Sequence, residues 1–319
     1  MASHHVNIFC RYPHASLIFP IGTIPSLDFF ILPSLTSSTP KVSHPYRHTQ
    51  QPLGSPASGA MDPSKHAANQ YSATSSNLSQ RLAIHDWSTT SQSWFSWVRD
   101  RLPTSGNLLE VGAGTGLLWQ QPDHPLPPNL HLTLTDFSPA MCEELRFSVP
   151  SAKVAQCDAA SLPFPSASFD VLVANHMLYH LDDPDAALRE FARVLRPGTG
   201  RLFVALNGED HLQELFAVGA AIGRASLIKK QARVTLDTAP ALLGKYFDDV
   251  KQEGAPGAFE VGEAKPVVDY LATVGDGGPL SDEERRVATG LVEGVIRDKG
   301  VFTIEKSMVL FEGVSFKSG

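Results

Sequence analysis

Leu108-Leu109-Glu110-Val111-Gly112-Ala113-Gly114-Thr115-Gly116 is the stretch from which the rest of the chain is read. The apolar residues around Glu110 suit a short buried strand over Asn107–Val111, and three glycines follow at alternate positions. Gly112, Gly114 and Gly116 admit positive φ and let a main chain come close to a ligand. Their spacing is G-x-G-x-G. The dinucleotide fingerprint G-x-G-x-x-G requires glycine at 117, where this chain has Leu117. A glycine triplet alone marks only a turn, so its meaning rests on the residues beyond Gly116.

Downstream, strand-like and helix-like segments take turns. Leu130, Leu132 and Leu134 alternate in a second strand ending at Asp136, and Ala152–Asp158 reads as a third. Phe169–Asn175 reads as a fourth, its consecutive apolar residues Val171 to Ala174 suiting a parallel strand covered on both faces. Asp183-Pro184 opens a helix with proline in its first turn. Leu188, Phe191, Ala192 and Leu195 give that helix one apolar stripe, Pro197-Gly198 ends it, and Arg201–Leu206 is a fifth strand. Such alternation predicts an α/β fold, a doubly wound sheet of mainly parallel strands. Sheets of this kind bind ligands beyond the carboxyl ends of their strands.

The candidate ligand-binding residues fall at those ends. Asp136, twenty residues past Gly116, closes the second strand, where a carboxylate can accept from both hydroxyls of a ribose. Asp158 closes the expected third strand, near the place of an adenine amine. Either acid alone also serves as a helix cap. Two of them at successive strand ends beside a glycine turn make a stronger pattern. Beyond the fourth strand come Asn175, His176, Tyr179 and His180. A neutral histidine there can take a proton from an acceptor hydroxyl or ammonium, so His176, His180 and Tyr179 are the catalytic candidates. Histidines four apart also suit a metal, but no third ligand accompanies them, and no metal site is expected. Asn207 and His211 are further acceptor-side candidates, with bonds to the local backbone as the competing role.

Taken together, residues 108–116, Leu134-Thr-Asp-Phe-Ser138, Cys157-Asp-Ala-Ala-Ser-Leu-Pro-Phe164, Ser168-Phe-Asp-Val-Leu172 and Arg193-Val-Leu-Arg-Pro-Gly198 resemble successive motifs of class I S-adenosylmethionine-dependent methyltransferases. The resemblance is to the small-molecule branch that includes quinone-pathway-type enzymes. Asn175-His-Met-Leu-Tyr-His180, Asn207-Gly208 and His211 resemble a bacterial-type subgroup, and the likeness extends over most of 65–315. It implies a seven-stranded Rossmann-like sheet with its last strand antiparallel and S-adenosyl-L-methionine as cofactor. By position, Glu110, Gly112, Ala113, Gly114 and Gly116 would flank its methionine part, Asp136 its ribose, Asp158 and Ala159 its adenine, and Phe137 and Asn175 would complete the cofactor set. Thr199 departs from the commoner glycine after Pro-Gly, in a turn away from the cofactor.

Composition limits the alternatives. A formal charge of -7 argues against a protein that binds nucleic acid by neutralising phosphates. Cys10, Cys142 and Cys157 have no paired spacing and suit reduced thiols in a cytoplasmic protein. The apolar stretch Ala15 to Leu35 is broken by Pro20, Pro25 and Pro33, so no membrane span is expected. Residues 1–60, with eight prolines and Asp28 as their one acid, read as a disordered extension. A translated upstream stretch before Met61, a targeting peptide and a genuine tail all fit it. Residues 61–105 read as a helical N-terminal cover in which Trp94, Trp97 and Val98 share a core-facing side, with Tyr71, Arg81 and His85 beginning a lid. Residues 106–319 read as the cofactor-binding domain, with lid insertions after 208. In them His211–Gly223, Pro266–Thr273 and Ser281–Asp298 read as helical additions, Lys251–Pro279 as a cover of the cleft, and Val301–Phe311 as a terminal strand or hairpin.

The expected activity is methyl transfer to a small molecule. An NAD(P)-dependent oxidoreductase and a non-catalytic cofactor-binding partner subunit are the competing readings. Leu117 and the lack of a Tyr-x-x-x-Lys pair count against the first, the intact 175–180 motif against the second.

Overall fold

The computed structural model describes residues 83–224, 233–273 and 278–316. The expected extension 1–60, and Tyr71 and Arg81 of the expected cover, lie outside the described residues. Among the described residues the strands, in chain order, are β1 (Gly106–Val111), β2 (Leu130–Asp136), β3 (Lys153–Gln156), β4 (Val171–Asn175), β5 (Arg201–Asn207), β6 (Phe247–Gly254), β7 (Ala258–Val261), β8 (Phe302–Glu305) and β9 (Met308–Ser315). Seven of them form one sheet in the order β3-β2-β1-β4-β5-β9-β6. The pairs among β1 to β5 are all parallel. β9 runs antiparallel to both β5 and β6, so it is the antiparallel last strand that the resemblance implied.

The apolar run of β4 explains why it lies near the centre. Val171 and Val173 enter one core cluster with Leu108, Leu134, Phe203, Trp97 and Leu145. Leu172 and Ala174 enter the opposite cluster with Leu109, Leu188, Phe191 and Val204. Successive side chains on a strand face opposite ways, so only a strand covered on both faces buries all four. The two faces are closed by helices whose starts are written in the sequence. Ser93 caps α1 (Trp94–Arg99), accepting from the Ser96 N–H at 3.0 Å. Ser138 caps α2 (Pro139–Ser148), and Asp183 caps α3 (Pro184–Val194), accepting from Ala186 N–H at 2.9 Å. Trp94, Trp97 and Val98 of α1 are all buried, as their spacing predicts. Phe191 of α3 has no exposed surface, and its truncation to alanine would cost about 3–5 kcal/mol.

A third apolar cluster joins α4 (Gln213–Ala221), α6 (Ala264–Leu271) and α7 (Asp282–Lys299) to the small antiparallel β7–β8 sheet through Leu215, Val267, Leu271, Val292 and Ile304. The short helix α5 (Ala239–Leu243) packs by Ala239 and Leu243 on the main sheet's cluster with Leu109 and Phe191. Among the described residues no helix is long and apolar enough to cross a membrane.

The structure corrects several expectations. Alternation is incomplete: a single 3-10 turn, Leu117–Trp119, is the only helical element between β1 and β2, and none lies between β3 and β4. The third strand spans Lys153–Gln156 rather than Ala152–Asp158, because the chain turns at Asp158, which bridges to Ser161. Val301–Phe311 is not one strand or hairpin. β8 pairs with β7, and after Lys306-Ser307 the chain enters the main sheet as β9. Lys251–Pro279 does not simply cover the cleft: it supplies the end of edge strand β6, all of β7 and α6. The described part of the cover is a 3-10 turn at Ala83–Trp87 and α1, not a continuous helix, and His85 packs its ring edge against Phe259 of β7.

Candidate functional site

The glycine turn leaves the carboxyl end of β1, and its three glycines have φ of +72° (Gly112), +57° (Gly114) and +81° (Gly116). They answer different needs. A Cβ on Gly112 would lie 2.9 Å from the Met177 Cβ, and one on Gly116 would lie 2.9 Å from Val149 Cγ2 and 3.0 Å from Leu145 Cδ2. These two let the turn pack against the loop after β4 and against α2. A Cβ on Gly114 would meet no heavy atom within 4 Å, so the open side of the turn is at Gly114. The turn is tied to β2 by Ala113 N–H, which donates to the Thr135 carbonyl at 2.9 Å.

Asp136 stands at the end of β2 against that open side. Its Oδ2 accepts from Gly114 N–H at 2.9 Å and its Oδ1 from Ser138 N–H at 2.9 Å. Each carboxylate oxygen keeps a further lone pair for a ligand donor. Phe137 beside it is 60% exposed, a large apolar ring facing water. The Cys157 N–H donates to the Asp136 carbonyl at 3.2 Å, which brings the start of the Asp158 turn next to β2. Asp158 Oδ1 accepts from the Ala160 N–H at 2.8 Å and Ala159 is buried. One oxygen of Asp158 is therefore engaged in a local turn, and no helix follows for it to cap.

Glu110 lies in β1, two residues before Gly112. It is 2% exposed and accepts a short hydrogen bond from the Trp119 indole N–H. Arg99 of α1, also buried, stacks its guanidinium over the Trp119 ring at 4.6 Å and donates to the Leu118 carbonyl at 3.3 Å. Burial raises the Glu110 carboxyl to about 7 and nearby Asp136 adds to the rise, against the Trp119 bond and the Arg99 charge. Sequence reading missed Arg99 and Trp119. Their signal was that a tryptophan or arginine close to a core must find partners for its N–H groups.

On the other side of β1 the chain leaves β4 with a sharp kink. His176 has φ +56°, a conformation rare outside glycine, and donates its N–H to the Ala205 carbonyl of β5 at 3.1 Å. Its Nδ1 is shielded from water and has no hydrogen-bond partner. Burial, with His180 adding to it, lowers the His176 imidazole to about 4, so it is neutral at ordinary pH. Tyr179 and His180 lie in the 3-10 turn Leu178–His180 with ring centroids 4.5 Å apart. His176 precedes this turn, so the two histidines do not share the helix face that metal-ligand spacing assumed. Among the described residues no group of three or more His, Cys, Asp or Glu is placed to hold a metal.

Asn175 Oδ1 accepts from the Trp94 indole N–H at 3.2 Å, and the Trp94 ring lies 5.1 Å from that of His176. Trp94, expected only to fill the core, therefore touches two candidate site residues. Asn207, at the end of β5, has a buried Oδ1 without a partner, while His211 Nδ1 accepts from the Ser307 N–H at 3.1 Å. The fold thus gathers Gly114, Asp136, Asn175, His176 and Asn207 at the carboxyl ends of β1, β2, β4 and β5. A cavity of about 460 Å³ elsewhere, between α4, α7 and β8, is lined by none of them. The open face at Gly114 and the fixed carboxylate beside it fit a cofactor with a ribose, and the unpartnered polar atoms of His176 and Asn207 lie at the ends of β4 and β5.

The 3-2-1-4-5-9-6 sheet with its antiparallel β9, its glycine turn and the Asp136 carboxylate is the arrangement that the resemblance to class I S-adenosylmethionine-dependent methyltransferases implied. Residues 109–204 match the family model described as a methyltransferase domain, which runs from β1 into β5. The ubiquinone/menaquinone biosynthesis C-methyltransferase of Hahella chejuensis is 34% identical over 119 residues, covering 34% of this chain and 47% of the relative. The malonyl-[acyl-carrier protein] O-methyltransferase of the same organism is 35% identical over 153 residues, 47% of this chain and 52% of the relative. The chain thus spans about half the length of these curated relatives. Among solved structures, the [4+2]-cyclase SpnF is similar in fold, with TM-score 0.51 and 18% identity over 80% of this chain and 97% of that one.

Proposed function

We propose that this chain transfers a methyl group from S-adenosyl-L-methionine to a small-molecule acceptor, with residues 106–319 as the working domain. The observation that carries the reading is the Asp136 carboxylate, fixed by Gly114 and Ser138 beside the open side of the turn. Asp136 would hold the ribose hydroxyls, Phe137 and the Asp158–Ala159 turn the base, and the open side at Gly114 with Asn175 the methionine end. Glu110 would act by supporting the turn through Trp119.

When bound, S-adenosyl-L-methionine supplies an electrophilic methyl group on a positively charged sulfur. The protein's share is alignment and exclusion of water. Trp94 closes one side of the acceptor region against His176. His176 is held neutral by burial and can accept a proton from an acceptor hydroxyl or ammonium. Tyr179 and His180 form the adjacent wall, and Asn207 Oδ1 can accept from a donor on the same molecule.

By their names the curated relatives are a C-methyltransferase of ubiquinone/menaquinone biosynthesis and an O-methyltransferase of malonyl-[acyl-carrier protein], and both support a small or small-group acceptor here. A cytoplasmic location belongs to the same reading. Calorimetry with S-adenosylhomocysteine against NADPH tests it. Micromolar binding of the first and none of the second is expected, and the reverse would replace methyl transfer by hydride transfer.

A further inference from the structure

Trp94 belongs to α1, outside the strand ends that form the site, yet its N–H is spent on a site residue. An indole nitrogen can only donate. The Asn175 atom 3.2 Å from it is therefore the amide oxygen, which removes the usual ambiguity between the two ends of an asparagine amide. With Oδ1 held on the indole, the NH₂ arm of Asn175 is turned away from Trp94, and that arm can only donate. The indole is itself immobilised. It stacks on Trp97 at 5.3 Å, rests against His176 at 5.1 Å and is 8% exposed.

Position says which ligand atoms meet that donor. β2 and β4 flank β1 on opposite sides, so Asp136 and Asn175 stand on either side of the glycine turn. A ligand whose ribose is on Asp136 and which crosses the turn reaches Asn175 with its other end. In an S-adenosyl compound that end carries an α-carboxylate, an acceptor of hydrogen bonds.

We infer that Trp94 is a positioning residue that locks the Asn175 amide with its NH₂ toward the cofactor's α-carboxylate. This inference rests on the proposed cofactor. It adds a residue that acts through Asn175 without touching the ligand.

The test measures binding of S-adenosylhomocysteine and of methylthioadenosine, which lacks the amino-acid end, by calorimetry. One net hydrogen bond is worth about 0.5–1.5 kcal/mol. Trp94→Phe keeps a ring in the stack and should weaken S-adenosylhomocysteine about three- to tenfold while leaving methylthioadenosine within about twofold. Asn175→Ala should do the same. The double variant should bind no more weakly than Asn175→Ala, because the indole acts only through that amide. Asn175→Asp keeps an oxygen for Trp94 but replaces the donor with a negative charge, and should lose S-adenosylhomocysteine more than Asn175→Ala does. Unchanged binding in Trp94→Phe, equal loss for both ligands, or additive losses in the double variant would overturn the inference alone. A wild-type protein that binds neither ligand would overturn the cofactor reading as well.

Discussion

Asp136 holds Gly114 before any ligand arrives. Its Oδ2 takes the Gly114 N–H at 2.9 Å while its Oδ1 takes the Ser138 N–H at 2.9 Å, so one carboxylate ties the glycine turn to the start of α2. Both bonds come from backbone amides, which do not swing as side chains do. The second lone pairs are therefore presented in a fixed direction, so that on the proposed reading a ligand hydroxyl would meet an acceptor already ordered. On that reading, ligand affinity and turn geometry would be coupled through this side chain.

Asp136→Ala should weaken S-adenosylhomocysteine binding by about 2 kcal/mol or more, since it removes two charge-assisted acceptors. Asp136→Asn tests the backbone share. Its NH₂ cannot accept, so one of the two amide N–H groups loses its partner, and the melting temperature should fall along with affinity. Calorimetry and thermal melts on both variants check this. Unaltered affinity in Asp136→Ala would remove Asp136 from the cofactor site.

Gly116 and Gly114 should respond differently to alanine. At Gly116 the new Cβ would lie 2.9 Å from Val149 and 3.0 Å from Leu145 at φ +81°, so both packing and backbone oppose it. A loss of about 2–3 kcal/mol in stability is expected, from overpacking and a disfavoured φ together. At Gly114 only the φ of +57° opposes, a loss of about 1–2 kcal/mol, but the methyl would occupy the open side of the turn. Gly114→Ala should therefore lose cofactor affinity out of proportion to its melting temperature. Denaturant titrations beside ligand binding separate the two, and equal behaviour would show that the open side is not where the ligand lies.

Legibility in the sequence depended on how local each signal is. The β4 run and the Asp183-Pro184 start are local patterns, and each appeared where it was read. Edge strand β6 was missed because Asp248, Asp249, Lys251, Gln252 and Glu253 show no alternation, and its pairing with β9 lies far along the chain. The end of the third strand was misplaced because Asp158 turns on its own side chain, which a run of residues does not display. The candidate acids and histidines could be nominated from the sequence because they follow strand-like runs directly. Trp94 and Arg99 were not, because their spacing is that of core residues and only the fold reveals that their N–H groups reach Asn175 and Leu118.

Glu110 makes stability depend on pH in a defined direction. Its carboxyl is raised to about 7 by burial, from an ordinary value of 4.5. Between those values the folded state holds a proton that the unfolded chain releases, so this contribution is complete below pH 4.5 and is lost as pH rises through 7. Glu110→Gln is neutral throughout and keeps a carbonyl for Trp119. It should be more stable than the parent at pH 8, by at most about 3 kcal/mol, with the gain vanishing at pH 4.5. Thermal melts at both pH values check it. A loss at pH 8 would show that the charged form pairs productively with Arg99.

His176 gives the opposite slope and bears on catalysis. Its imidazole is lowered to about 4 by burial from an ordinary 6.5, so between these values the unfolded chain takes up a proton that the folded protein refuses. Stability from this group is complete above pH 6.5 and falls as pH drops toward 4. The same depression keeps the ring free to accept a proton from the acceptor well below pH 6.5. His176→Ala and His180→Ala should each lower the rate of S-adenosylhomocysteine formation, measured with a metabolite extract as acceptor source, by about 10²-fold or more if that residue is the base. Cofactor affinity should change only a few-fold in either. If His176 is the proton acceptor, the parent's acid limb lies near pH 4 to 5 and vanishes in His176→Ala; two fully active variants would leave methyl transfer to alignment alone.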